Sequence, residues 1–353
     1  INLATEKQGV YHSEEAMKKT VIFSALLLLI ASLVITSCFA AKTTTPKVLL
    51  NVSYDVIRDF YKDYNQTYRR QYAPDVMISQ SHGGASKQVL SVLNGLPADV
   101  VTLTQSNDID ALVQKGLVKP TWQQDLPNQA TPFGSVIVFL VRKNNPKHIH
   151  DWSDLTRKDV KVVFANPKTS ANGRFAYLSA LAYAQNNTKN PNEFMLRLLR
   201  NVPVLEAGAR GASISFTQRE IGDVLITPEN EAALAAKTLG NHSFDMVYPS
   251  VSAYTPVLVA QVNANSRHNG TQQLAQEYLQ HLWSEQGQNI AAQNYFRPSN
   301  KKIAEKYTAL FPPVNSFDVN QQFGDWQQIN QQHFVDNALF DRLYIAAQRN
   351  VKE

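Results

Sequence analysis

An α/β fold of two doubly wound lobes is what this sequence predicts, on three observations. From Lys47 onward, short apolar runs alternate with segments whose apolar residues recur every three or four positions. That is the pattern of strands alternating with helices, hence of a parallel sheet covered on both faces. A longer β-branched run, Ser135 to Val141, interrupts the alternation, which resumes at Val160. The strand-to-helix junctions, finally, are built of Ser, Gly and Ala, which leaves helix starts uncrowded at one end of each sheet.

In chain order, Val48-Leu49-Leu50-Asn51-Val52 is expected as the first strand, and Ser53-Tyr54-Asp55 opens a helix through Ile57, Phe60, Tyr61 and Tyr64. Val76 to Ser79 is the second strand; after Gln80-Ser81-His82-Gly83-Gly84 a helix carries Val89, Leu90 and Leu93. Asp99 to Leu103 is the third, followed by a helix from Ile109 to Lys115 that Gly116 closes. Ser135 to Val141 is expected to carry the chain into the second lobe, where Val160–Ala165, Val202–Leu205 and Asp223–Ile226 repeat the pattern. Met246-Val247-Tyr248-Pro249 fits a second crossing, with Pro256 to Ala260 as a further strand. Later, Leu274, Tyr278, Leu279 and Leu282 share one helix face as core positions, and the Gln/Asn-rich stretches near 321–332 look like loops. The expected division is residues 42–130 for the first part of lobe 1, 131–250 for lobe 2, and 251–353 for the return to lobe 1 and the C-terminal helices.

Residues 1–16 carry no apolar period and are expected to be a start-site extension. Met17-Lys18-Lys19-Thr20 and the apolar run Val21 to Ile35 have the charged head and apolar core of an export signal, expected over residues 17–41. Cys38-Phe39-Ala40 fits a small-x-small cleavage site and a soluble product. Ile35-Thr36-Ser37-Cys38 resembles a lipoprotein box, in which Cys38 would instead be lipidated. Cys38 is the only cysteine, so the mature chain has no intrachain disulfide and is held by its core, for which roughly 310 residues suffice.

The formal charge of +5 belongs to the mature part, because residues 1–40 hold three basic and three acidic side chains. Its Lys and Arg do not cluster with interleaved aromatics, which argues against a nucleic-acid partner. Arg142, Lys143 and Lys147 fit a solvated surface turn.

The stretch Asn166-Pro167-Lys168-Thr169-Ser170-Ala171-Asn172-Gly173-Arg174 leaves a strand and enters a helix. Thr169 or Ser170 can cap the first turn, or the free N–H groups there can face a bound anion; the stretch alone leaves both open. Similar junctions stand at Asn51–Asp55, Ser81–Ser86 and Ala207–Ser213. Since ligands of doubly wound sheets sit at the carboxyl ends of strands, junctions from two lobes can converge on a cleft. Enzyme motifs are absent: there is no GxSxG, HExxH or P-loop. His148 and His150 lack a third placed metal ligand, Asp108 and Asp110 fit an exposed helix start, and Lys87 and Lys168 fit solvated positions.

The segments Leu49–Asp55, Gln80–Gly84, Asn166–Ser170, Gly208–Gly211 and Gly222–Ile226, with Phe139–Lys143 and Ile149–Trp152, resemble the bacterial periplasmic sulfate-binding proteins, in order from about residue 47 to 345. The resemblance implies a type II periplasmic binding fold, two lobes joined by two crossing strands, and delivery of sulfate or thiosulfate to a membrane ABC permease, without cofactor, as a monomer. Carried over by position, it implies backbone donors at Asp55, Ala85, Ala171, Asn172 and Ala209 and a hydroxyl from Ser170. Arg174 and Arg210 would bond carbonyls or carboxylates behind the site. The sequence departs from that pattern at Ala85, Ala171 and Asn172, where a serine and two glycines are usual, and at Phe175, expected to change packing only. It departs most at Pro228, where a tryptophan supplies an indole N–H. Thiosulfate or another tetrahedral oxyanion is the alternative ligand, and a phosphoryl- or sulfuryl-transfer enzyme on the same scaffold is the rival function.

Overall fold

A computed structural model describes residues 47–239 and 243–349, together with Met17. The rest of the expected start-site extension and export signal, Cys38 included, lies outside the described residues.

The first lobe is built from β1 (Lys47–Tyr54), a 3-10 turn (Asp55–Ile57), α1 (Arg58–Tyr72), β2 (Val76–Gly83), α2 (Ala85–Leu93), β3 (Val100–Leu103) and α3 (Ser106–Gln114). β1 pairs in parallel with β2, Lys47 opposite Val76, and with β3, Asn51 opposite Val100. The second lobe begins on β4 (Phe133–Arg142) and continues through β5 (Val162–Ala165), α4 (Ala171–Asn187), α5 (Pro191–Arg200), β6 (Leu205–Glu206), α6 (Ala209–Thr217), β7 (Val224–Pro228) and α7 (Glu229–Leu234). After β8 (Phe244–Val247), the chain returns along β9 (Ser252–Pro256) and β10 (Leu258–Gln261).

Both sheets share one plan. The first runs β10-β3-β1-β2 and the second contains β4-β7-β5-β6, so each lobe places its second, first and third parallel strands beside one antiparallel strand. In each case that antiparallel strand belongs to a crossing segment. Phe133 at the start of β4 packs in the first core and Ile137 in the second; on the way back Ala253 is in the second core and Val257 in the first. The two crossings pair antiparallel, Gly134 with Pro256 and Val136 with Tyr254. This is the type II arrangement, and it makes the paired crossings the hinge.

Several elements differ from expectation for local reasons. Met246 and Val247 belong to β8, which stays in the second lobe paired to the far half of β4, so the return crossing falls at 252–261. The strand expected at Val202–Leu205 shrinks to Leu205–Glu206, since Pro203 lacks an N–H for a ladder. The Gln/Asn-rich 321–332 stretch is largely helical: Asp325 caps a turn at Trp326–Ile329 whose Trp326 and Ile329 face inward while its glutamines face out. That C-terminal segment joins the second core through Val319, Trp326, Ile329, Phe334, Phe340 and Ala347. It covers the outer face of α4, with Trp326 edge-on to Phe175 at 5.6 Å and Phe334 against Tyr177 at 5.4 Å. An alanine-rich helix buried nearly all round is the result. Arg142 is not a solvated turn residue: its guanidinium donates to the carbonyls of Phe216, Ile221 and Gly222 and lies 3.9 Å from the Phe216 ring centroid.

Candidate functional site

Four strand-to-helix junctions meet where the lobes face each other. The first lobe contributes Asp55 after β1 and Gly84-Ala85 after β2; the second contributes Thr169-Ser170-Ala171-Asn172 after β5 and Gly208-Ala209 after β6. A methyl group on Gly84 would stand 3.2 Å from the Thr169 carbonyl oxygen and 3.4 Å from that of Ala207, both across the seam. One on Gly208 would stand 2.3 Å from Asp55 Oδ2, so a side chain there would push that carboxylate aside. Ala171 and Ala209, though on second-lobe helices, pack in the first lobe's core. Ala85, Ser170, Ala171, Asn172 and Ala209 are all buried, and Asp55 is partly so.

Ser170 settles the local capping question. Its Oγ accepts from the Gly173 N–H at 3.2 Å, which leaves the hydroxyl proton to be donated, while its own N–H bonds the Asn166 carbonyl at 2.8 Å. The N–H groups of Ala171 and Asn172, in the first turn of α4, have no acceptor within their helix, and the same holds for Ala85 in α2 and Ala209 in α6. Thr169 Oγ1 donates to the Ala207 carbonyl at 2.8 Å and the Asn166 N–H to the Glu206 carbonyl at 2.8 Å, tying the two second-lobe junctions together.

The Asp55 carboxylate crosses the seam: its Oδ2 accepts from the Arg210 N–H at 3.0 Å. Burial raises its pKa, opposed by that bond and by the Arg210 charge. Asn230 Nδ2 makes a second crossing bond, to the Val56 carbonyl at 3.1 Å.

Two arginines hold the helix starts. Arg174 donates from Nε to the Pro167 carbonyl at 2.8 Å, from Nη1 to Gln105 Oε1 at 2.7 Å and from Nη2 to Ser86 Oγ at 3.1 Å, so it clamps the α4 start to the first lobe. Asp108 is not an exposed cap. Burial pushes its carboxyl up to about 6 against the opposing Arg174 charge, and its Oδ2 has no hydrogen-bond partner. Arg210 donates from Nη2 to Asp59 Oδ2 of the first lobe at 2.6 Å, and its Nε lies 3.1 Å from Glu231 Oε1 of the second. Glu231 is 1% exposed, and burial pushes it up to about 7 although Arg210 pulls it down. Lys168 is not free in solvent either: its Nζ bonds the Phe334 carbonyl, Asp336 and Asp341, fastening the junction to the C-terminal segment.

Sequence reasoning missed Asp59, Ser86, Gln105 and Glu231. A usable signal existed for two of them: Asp59 lies four residues after Asp55, one helical turn on, and Gln105 follows β3, a parallel strand of the first lobe whose end was not among the junctions considered.

His82, next to Gly83, has Nδ1 2.8 Å from Ser53 Oγ, and burial followed by the Arg58 charge pushes its pKa down to about 4. The ring stays neutral in the fold while an unfolded histidine takes a proton below about 6.5. Stability is therefore expected to fall as pH drops from about 6.5 to 4, by about 1–2 kcal/mol from this group after discounting for its solvent-screened face. Urea titrations of the wild type and His82→Asn across that range check it: the variant's curve should be flatter, and parallel curves would show that His82 is not responsible.

A buried seam lined by helix starts from two hinged α/β lobes defines a solute-binding protein of the type II class. The family model for bacterial extracellular solute-binding proteins matches residues 49–297. The thiosulfate-binding protein of Pseudomonas aeruginosa is 48% identical over 304 residues, 84% of this chain and 92% of that protein. The sulfate-binding protein of Escherichia coli is 44% identical over 303 residues, with the same shares. Among solved structures, the sulfate-binding protein SubI from Mycobacterium tuberculosis superposes with a TM-score of 0.73 at 28% identity, covering 82% of this chain and 99% of that one. The chain belongs to the sulfate/thiosulfate-binding family of bacterial extracellular solute-binding proteins.

Proposed function

We infer that this chain is an exported, monomeric periplasmic carrier that encloses one sulfate or thiosulfate dianion between its lobes and delivers it to a membrane ABC permease. The observation that carries this reading is the convergence on one buried seam of helix starts from both lobes, with the nearby cations engaged elsewhere. Ala85, Ala171, Asn172 and Ala209 offer N–H groups that their own helices cannot satisfy, Asp55 adds the N–H at the start of its 3-10 turn, which also lies against its own carboxylate, and Ser170 adds its hydroxyl proton. Helix starts favour an anion both by these donors and by the helix dipole. Arg174 and Arg210 support the donor loops from behind through Pro167, Gln105, Asp59 and Glu231.

Selectivity follows from protonation. Sulfate has no proton at neutral pH, whereas phosphate keeps one, and a phosphate O–H facing only N–H groups is a buried mismatch. The Asp55 carboxylate turns to the Arg210 N–H through Oδ2, so donors outnumber acceptors at the seam and phosphate is expected to be refused. Pro228 removes the indole donor that the family resemblance implies, at a cost of about 1.5–3 kcal/mol, ten- to a hundredfold in affinity, unless another group replaces it. The reading includes no catalysis. Among the described residues Ser170 Oγ bonds only the Gly173 N–H, a contact that does not activate it as a nucleophile. Among the described residues no helix is long and apolar enough to cross a membrane.

Titration calorimetry of residues 42–353, freed of anions by unfolding and refolding, tests the proposal against sulfate, thiosulfate and phosphate. The expected result is 1:1 binding of sulfate or thiosulfate, recovered chemically unchanged, with phosphate silent. Silence towards all three anions would overturn it.

A further inference from the structure

Asn172 is 5% exposed, yet its side chain makes no hydrogen bond to any described residue. A carboxamide carries two donor hydrogens and an acceptor oxygen, and burying them unpaired is costly. Its amide atoms are not sealed, however. They do not fall among the fully enclosed partnerless atoms, such as Thr227 Oγ1 and Asn230 Oδ1, so they open onto space that a small ligand or water can enter.

Helix geometry fixes which side that is. Gly173 faces β5, where an added methyl would stand 2.3 Å from the Ala165 carbonyl oxygen. Arg174 turns to Ser86 and Gln105, and Ala171 to the first lobe's core. At 3.6 residues per turn, Asn172 takes the remaining side, that of Ala176 and Ser179, whose hydroxyl accepts from the Ala253 N–H of β9. Val224 and Ile226 of β7 face the core that α4 covers, and the alternation of a strand puts Pro228 on the same face. Asn172 and Pro228 thus share the corner of the second lobe beside the free N–H groups of Ala171 and Asn172. Pro228 brings an apolar ring without a donor to that corner, and Asn172 brings an N–H₂.

We propose that the Asn172 carboxamide is a direct ligand contact, donating from Nδ2 to the bound oxyanion the side-chain hydrogen bond that Pro228 cannot make. This rests on the oxyanion reading above and assigns affinity to a side chain where that reading needs only the main chain.

The test is calorimetry of the refolded, anion-free chain with sulfate and thiosulfate, on the wild type, Asn172→Ala, Asn172→Gly and the near-isosteric Asn172→Asp, alongside thermal unfolding of each. Asn172→Ala and Asn172→Gly are expected to lose ten- to a hundredfold in affinity with little change in melting temperature. Asn172→Asp, which sets a carboxylate against the anion, is expected to abolish binding while folding normally. Restoration of affinity by adding Pro228→Trp to Asn172→Ala would support the same assignment. Affinities of the Ala and Gly variants within twofold of wild type would overturn the proposal and leave the oxyanion reading standing. A wild type silent to both anions would overturn both.

Discussion

Arg174→Met is expected to lower folding stability by about 3 kcal/mol and oxyanion affinity by about a hundredfold. Arg174 is 8% exposed and its guanidinium donates to Pro167, Gln105 and Ser86, so its loss strands a carbonyl and an amide oxygen inside the seam. It also removes the one charge that holds Asp108 down. The affinity loss has a separate origin: Gln105 and Ser86 belong to the first lobe, and without the clamp the closed arrangement of donors is no longer favoured over an open one. Urea unfolding gives the first quantity and calorimetry the second. Arg174→Met with Asp108→Asn should recover part of the stability but none of the affinity; recovery of both would place the whole effect in the stranded charge.

Arg210→Met is expected to cost about 1–2 kcal/mol at pH 8, because it leaves Glu231 enclosed and without the charge that opposes its burial. Here the sign of the pH dependence is diagnostic. Glu231 is already pushed up to about 7 in the fold by burial, and removal of Arg210 pushes it further in the same direction. The folded chain then takes up a proton at higher pH than the unfolded chain, so this group's penalty is fully present above the folded value. It is relieved as pH falls towards the unfolded carboxylate range near 4.3. The variant should therefore become relatively more stable from pH 8 to 5, against the opposite trend contributed by His82. Adding Glu231→Gln should remove most of the deficit at pH 8. A deficit that persists in the double variant, and does not change with pH, would assign it to the lost Asp59 bond at 2.6 Å instead.

These clamps also explain how a hinge fold can hold a closed form. The crossings pair through Gly134–Pro256 and Val136–Tyr254, a short ladder about which the lobes can turn with few contacts to break. What closure gains is concentrated at the junctions: Asp55 on the α6 start, Asn230 on the Val56 carbonyl, Arg174 on Gln105 and Ser86, and Arg210 on Asp59. On the proposed reading, an anion among the free N–H groups would draw donors from both lobes to the same seam and so couple binding to closure.

The alternation of strands and helices, the apolar face of Leu274, Tyr278, Leu279 and Leu282, and the small-residue junctions were legible in the sequence. Each depends on neighbours a few positions apart, where a period of 2 or 3.6 leaves a direct trace. Four of the blocks of family resemblance, Leu49–Asp55, Gln80–Gly84, Asn166–Ser170 and Gly208–Gly211, lie at those junctions, so the class of protein and the candidate donors Asp55, Ala85, Ser170, Ala171, Asn172 and Ala209 could be named from the sequence. The tertiary structure alone decided which groups meet across the seam. Arg210 finds Asp59 across 151 residues and Arg174 finds Gln105 across 69, pairings for which no local pattern exists. It also decided that the Asp55 carboxylate turns to Arg210 N–H, that Asp108, Arg142 and Lys168 are engaged rather than solvated, and that the Gln/Asn-rich tail is helix packed on α4. Periodicity says which face of an element is buried, but the partner it meets there is set by how the chain crosses twice between two sheets.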